Sequence, residues 1–300
     1  MKIVFFGTPD FAVTSLSKIY ESENQISAVV TAPDKERGRG RKVSYTPVKE
    51  FAIKKNIPVL QPAKLKDESF IEELKKIDAD LFVIVAFRIL PVDVFTLPRF
   101  GSVNLHGSLL PKYRGAAPIQ WALINGDTET GVTTFFLKEK VDTGNMILQE
   151  KIAIDPEDNF ETLHDKMKEV GAEVLLKTIS LIEKNEVDEK TQDDSLASPA
   201  PKITKDICRI DWNKPVLEVH NLIRGISPFL GAFFIKDDKQ YKVYKSKIVE
   251  EPKLQPAEVL ETKRELFIGC ADGTLEILEI QPEGRKRMTA DEFLRGYSLV

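Results

Sequence analysis

Through its first two thirds the chain alternates short unbroken apolar runs with stretches of helical spacing. Residues 2–6 form a run that is unbroken apolar after Lys2, closed by Gly7, Thr8, Pro9 and Asp10. That is the pattern of a strand buried on both faces followed by a helix start, with Thr8 as N-cap and Pro9 at the first helical position. The helix extends to about residue 20, and residues 26–31 make a second strand, completing a βαβ opening. Residues 46–55 read as a helix, 58–60 as a short strand and 81–87 as another buried strand. Between them, Phe70, Leu74 and Ile77 fall on one face of a helix. Residues 95–103 then feed into Asn104, Leu105 and His106, 119–124 continue as a helix, and 131–137 and 147–154 alternate as strands. Asn159 caps a helix whose inner side carries Leu163, Met167, Val170, Val174 and Ile182. This succession predicts an α/β domain.

The pattern changes beyond residues 193–201, which are polar and proline-containing, as a linker should be. Short alternating runs follow at 231–235, 240–244, 257–261, 265–270 and 274–281, with turn signals at Asp237-Asp238 and Asp272-Gly273. They predict a small antiparallel barrel, with helices over 216–226 and 289–296, the second capped by Thr289 and stopped by Gly296. The expected organisation is a domain over 1–189, a linker over 190–207 and a second domain over 208–300.

Composition narrows the function classes. The 300 residues carry 42% hydrophobic and 30% charged side chains, as a soluble globular protein does. A net charge of −4 provides no global basic field, so a nucleic-acid partner would be held by local patches. Two cysteines make no disulfide framework or metal quartet and fit a reducing compartment. With three histidines and no Cys/His clustering, no metal site is expected. The chain opens directly on a strand, without a leader-like or spanning apolar segment, so a cytoplasmic protein with no membrane association is expected.

Candidate chemistry concentrates at residues 102–118, SVNLHGSLLPKYRGAAP. In a strand Asn104 and His106 emerge on one side with Leu105 turned away, at a strand end where open α/β sheets place ligand crevices. The two residues read either as a strand closure and loop cap or as an amide and an imidazole aimed at one point. An amide can hold an oxygen on which charge builds, and an imidazole can donate to it or shuttle a proton near neutral pH. The first strand lacks the Gly-x-Gly-x-x-Gly of a dinucleotide site. His164 beside an apolar stripe and His220 in a helix read as structural.

The run NLHGSLLPKYRGAAP resembles the signature of the 10-formyltetrahydrofolate-dependent formyltransferases. Its spelling is closest to the members whose acceptor is the methionine carried on initiator tRNA. The resemblance implies a Rossmann-like formyltransferase domain with a parallel-rich sheet, then a small OB-like antiparallel β-barrel. It implies a catalytic group of Asn104, His106 and Asp142, the last in an Asp-x-Gly turn at Asp142-Thr143-Gly144, where it would orient the imidazole. Ser108, Leu109, Leu110 and Pro111 would lie against the folate, a cosubstrate consumed each cycle. So would the loop Phe87, Arg88, Ile89 and Leu90, where this chain has one residue fewer than the family and Arg88 in place of a flexible glycine.

The resemblance extends to the second domain through Ile210-Asp211-Trp212, His220 to Arg224 and Gly284 to Met288. It reads Arg37, Arg39, Arg41 and Lys42 as a basic loop entering the tRNA acceptor stem, where composition alone reads a solvated loop. Arg285, Lys286 and Arg287, with Tyr241, Lys242, Lys245 and Lys247, could form a second basic face. Two rivals remain: a formyltransferase for glycinamide ribonucleotide or an amino-sugar nucleotide, and a catalytically silent folate- or RNA-binding module. A monomer is expected.

Overall fold

The computed structural model describes residues 1–37 and 42–300. In chain order its elements begin with β1 (Lys2–Gly7), α1 (Asp10–Glu21), β2 (Gln25–Val30), β3 (Lys35–Arg37), β4 (Lys42–Ser44), α2 (Pro47–Lys54) and β5 (Val59–Leu60). There follow α3 (Glu68–Ile77), β6 (Leu81–Val85), α4 (Val92–Phe95), β7 (Ser102–His106), β8 (Arg114–Gly115), α5 (Pro118–Ile124), β9 (Glu129–Phe136), β10 (Met146–Ala153) and α6 (Phe160–Glu183). The remainder comprises β11 (Pro199–Ala200), α7 (Val216–Ile226), β12 (Ala232–Lys236), β13 (Lys239–Val249), β14 (Val259–Glu261), β15 (Leu266–Gly269), β16 (Thr274–Pro282), β17 (Met288–Thr289) and α8 (Ala290–Leu294). The chain forms two compact units, one of residues 1–115, 131–152 and 164–199, the other of 116–130, 153–163 and 200–300.

The first unit is built on a sheet ordered β10-β9-β7-β6-β1-β2-β5. β1 pairs in parallel with β2 and β6, β6 with β7 and β2 with β5, whereas β9 runs antiparallel to β7. This is the α/β domain that the alternation predicted, with the parallel-rich Rossmann-like sheet that the resemblance implied. β6 is buried at every residue and β1 at all but its first, which explains their unbroken apolar spelling: helices cover both faces. Chain order reverses between β1 and β6, so the ligand crevice opens beyond their carboxyl ends, beside the end of β7.

Thr8 does not cap α1. Pro9, extended at ψ 176°, takes the cap position without a side-chain bond, and the helix starts at Asp10, whose carboxylate suits the positive helix end. Thr46 does cap α2, accepting the Lys49 N–H at 3.1 Å, with Pro47 in the first turn. Asn159 likewise accepts the Thr162 N–H at 3.0 Å at the start of α6. Where a basic loop was expected, β3 and β4 pair antiparallel, and residues 38–41 lie outside the described residues.

The second unit carries an antiparallel sheet ordered β12-β13-β16-β15-β14, with β17 on β16. Its core gathers Trp212, Phe234, Tyr241, Ile277 and Phe293 between the sheet, α7 and α8. Register shifts between Val243 and Ser246 bend β13 along β16. His220 is structural here: its Nδ1 lies 3.0 Å from Ser246 Oγ, and burial, then the nearby Arg224, pushes its imidazole below the ordinary value. Arg224 donates to Asn221 Oδ1 at 2.8 Å and to the Asp158 carbonyl at 3.2 Å, tying α7 to residues 153–163. Among the described residues no helix is long and apolar enough to cross a membrane.

Candidate active site

β7 presents Asn104 half-buried and His106 almost fully buried at the crevice end of the sheet. No hydrogen bond among the described residues engages the Asn104 carboxamide. His106 Nε2 lies 2.8 Å from the Tyr113 carbonyl. A carbonyl can only accept, so Nε2 carries a proton and donates it there. Nδ1 is then the ring nitrogen left for other groups, and the nearest carboxylate oxygen, Asp142 Oδ2, is 3.9 Å away. The same oxygen accepts the Gly115 N–H at 2.9 Å.

Two backbone residues around this pair adopt left-handed conformations, Tyr113 at φ 61° and Asp142 at φ 54°. Each costs a side-chain-bearing residue about 1 kcal/mol, so surrounding contacts must impose it. The third residue of the Asp-x-Gly turn has a steric reason: a Cβ at Gly144 would fall 1.6 Å from the Phe136 carbonyl oxygen. Only glycine lets the turn lie so close to β9.

The loop after β7 is pinned from β9 and β10. The Thr133 hydroxyl, opposite His106 in register, donates to the Ser108 carbonyl at 2.6 Å and accepts the Leu110 N–H at 3.1 Å. Gln149 Nε2 donates to the Leu110 carbonyl at 2.9 Å. The Ser108 hydroxyl turns inward to the Lys112 carbonyl at 2.6 Å. Ser108 and Leu110 are buried, while Leu109 and Pro111 are partly exposed.

The shortened loop after β6 divides its expected work. Ala86 takes φ 48°. Phe87 packs edge-on against Phe6 with ring centroids 5.6 Å apart, and Leu90 joins the core. The Arg88 guanidinium donates to the Pro62 carbonyl at 2.8 Å and the Ala63 carbonyl at 3.2 Å, strapping the loop down. Ile89 is left 72% exposed.

The basic candidates differ among themselves. Arg37 and Lys42 stand opposite each other in the β3–β4 register, and Arg39 and Arg41 lie outside the described residues. Arg285 and Lys286 are exposed between β16 and β17. Arg287 pairs with Glu279 and lies over the Tyr244 ring at 4.6 Å, so its charge is partly answered within the fold. Sequence reasoning missed the Tyr113 carbonyl, the Gly115 N–H, Thr133 and Gln149, because backbone atoms and loop anchors leave no motif. Among the described residues no group of three or more His, Cys, Asp or Glu could hold a metal.

Two family models match in order: that for formyl transferase over residues 1–179 and that for the formyl transferase C-terminal domain over 202–298. Methionyl-tRNA formyltransferase of Caldanaerobacter subterraneus is 46% identical, covering 100% of this chain and 98% of its own. The enzymes of Bacteroides thetaiotaomicron and Clostridioides difficile are 45% and 43% identical, covering 100% of this chain and 96% and 98% of their own. Among solved structures, a sugar 3N-formyl transferase superposes with TM-score 0.71 at 24% identity, covering 95% of this chain and 99% of its own. An N-formyltransferase from Helicobacter canadensis superposes with TM-score 0.70 at 24% identity, covering 96% and 100%; both likenesses speak for the fold. With both models in order and full-length relatives above 40% identity, the chain belongs to the methionyl-tRNA formyltransferase family.

Proposed function

We propose that this protein transfers a formyl group from 10-formyltetrahydrofolate to the α-amine of methionine on initiator tRNA. The observation that carries the site assignment is the end of β7. There an uncommitted carboxamide, Asn104, and an imidazole with one nitrogen already bonded, His106, stand on the same side of the strand.

The folate would lie against Phe87, Ile89 and Leu109, whose apolar side chains suit ring faces, with the exposed Ile89 giving a ligand something to cover. Bound there, 10-formyltetrahydrofolate would supply a formyl group already activated on nitrogen. Asn104 donates to the oxygen on which negative charge develops, the largest single contribution expected of such a site. His106, its Nε2 proton held by Tyr113, offers Nδ1 for moving a proton away from the attacking amine. Asp142, fixed by the Gly115 N–H, orients that ring. Arg37, Arg39, Arg41 and Lys42, with Arg285 and Lys286, supply phosphate contacts, which position the acceptor without reading its bases. We place the reaction in the cytoplasm, with a single chain as the working unit, since both family-matched segments lie on it.

The test is an acceptor assay with labelled 10-formyltetrahydrofolate and, in parallel, methionyl initiator tRNA, methionyl elongator tRNA and glycinamide ribonucleotide. Label on the initiator alone is expected. Label on the small acceptor, or tight folate binding without turnover on any acceptor, overturns the reading.

A further inference from the structure

Gln192 sits in the segment 190–207 that the sequence marks only as linker, yet it is 8% exposed and every polar position of its carboxamide is used. Its Oε1 accepts from Arg114 Nε at 3.1 Å and from the second guanidinium nitrogen at 2.7 Å. Its Nε2 donates to the Asp142 carbonyl at 2.9 Å and to the Gly144 carbonyl at 2.8 Å. A guanidinium can only donate and a carbonyl can only accept, so these partners fix which end of the amide is oxygen.

The two groups that Gln192 joins are the two flanks of the His106–Asp142 pair. On one flank is the Asp142–Gly144 turn, whose carboxylate faces His106 Nδ1 at 3.9 Å. On the other is the segment around Arg114: the Tyr113 carbonyl takes the His106 Nε2 proton, and the Gly115 N–H holds Asp142 Oδ2. Ser198, six residues beyond Gln192, steadies the same segment, its Oγ accepting the Tyr113 N–H and its carbonyl the Arg114 N–H, each at 2.9 Å.

We infer that Gln192 is a positioning residue for formyl transfer: its carboxamide clamps the Asp142 turn to the 113–115 segment and so sets the distance between carboxylate and imidazole. The inference rests on His106 and Asp142 being the reacting pair. Its physical basis is that catalytic groups must be held to a fraction of an ångström, and a displacement of about 1 Å can cost about 100-fold in rate. A buried glutamine could instead serve folding alone, by satisfying turn carbonyls.

The test is a kinetic cycle on the full-length enzyme with methionyl initiator tRNA. Gln192→Leu removes both arms of the clamp. Gln192→Glu keeps the acceptor for Arg114 but puts oxygen against the Asp142 and Gly144 carbonyls, and serves if the leucine variant does not fold. Each should lower kcat by about 10- to 100-fold, with KM for tRNA and for formyl-folate unchanged and a cooperative melt retained. The discriminating measurement adds Asp142→Asn: if the clamp acts through Asp142, Gln192→Leu or Gln192→Glu costs little more in that background. Parental kcat in the Gln192 variants overturns the inference, as does a loss confined to KM. So does a loss that multiplies undiminished onto Asp142→Asn. Parental activity of Asp142→Asn alone marks failure of the site assignment beneath it.

Discussion

The surroundings of His106 and the basic segment at 285–287 are built in opposite ways. Around His106 the hydrogen-bonding groups are paired with one another: Nε2 on a carbonyl, Asp142 on an N–H, the following loop on Thr133 and Gln149. Arg285 and Lys286 lie exposed, with no ion pair among the described residues. Under the proposed function the difference follows from two tasks. Stabilising a charge that exists only in the transition state requires donors fixed beforehand. Neutralising phosphates requires charge within reach, and its strength comes from counterion release rather than from a fixed geometry.

The comparison breaks most visibly at Asn104. Asn104→Ala should lower turnover about 100- to 1,000-fold while leaving tRNA affinity intact, measured by single-turnover formylation beside a binding assay. Removing charge from the basic loop should do the reverse. Arg39→Ala with Arg41→Ala raises KM for methionyl initiator tRNA and spares kcat. It also lowers the slope of log affinity against log salt by about 1 for each phosphate no longer neutralised. Within the second basic segment the contrast sharpens. Arg285→Met or Lys286→Met should reduce that slope, whereas Arg287→Met, whose charge already faces Glu279, should change it least and instead loosen the β16–β17 turn.

The smallest expected effect lies at the two cysteines. Burial pushes the Cys270 thiol from an ordinary value of 9.0 up to about 12, and raises that of Cys208. Both should resist a thiol reagent at pH 8 until the chain unfolds. Because the unfolded chain binds fewer protons between those limits, stability should fall as pH rises from about 9 towards about 12. A denaturant midpoint that holds level across that window contradicts the burial argument.

Much of the first unit was legible in the sequence because strands buried on both faces spell themselves as apolar runs. Residues 2–6 and 81–87 became β1 and β6 with small shifts at their ends. The segments recruited to the second unit were not legible: residues 116–130 and 153–163 carry no compositional break, and what gathers them is contacts such as Arg224 to the Asp158 carbonyl. Asn104 and His106 stood out because side-chain chemistry must be spelled in residue types, whereas Asp142, in a common Asp-x-Gly turn, was reached only through the resemblance. Tyr113 did not, since its carbonyl and its left-handed φ act through the backbone. Arg88 illustrates the same limit: in the sequence it was a charge at a ligand loop, and in the structure its guanidinium lies on the Pro62 and Ala63 carbonyls.

The central claim is that chemistry resides in the fixed site and acceptor selection in the basic segments. It is tested most directly by single-turnover formylation of methionyl initiator tRNA at two salt concentrations, comparing the parent, Asn104→Ala and Arg39→Ala/Arg41→Ala. The account predicts a slow but salt-parallel reaction for the first variant, and a normal maximal rate reached only at higher tRNA, with weakened salt dependence, for the second. A slow maximal rate from the charge variant, or weakened tRNA affinity with a normal rate from Asn104→Ala, would contradict it.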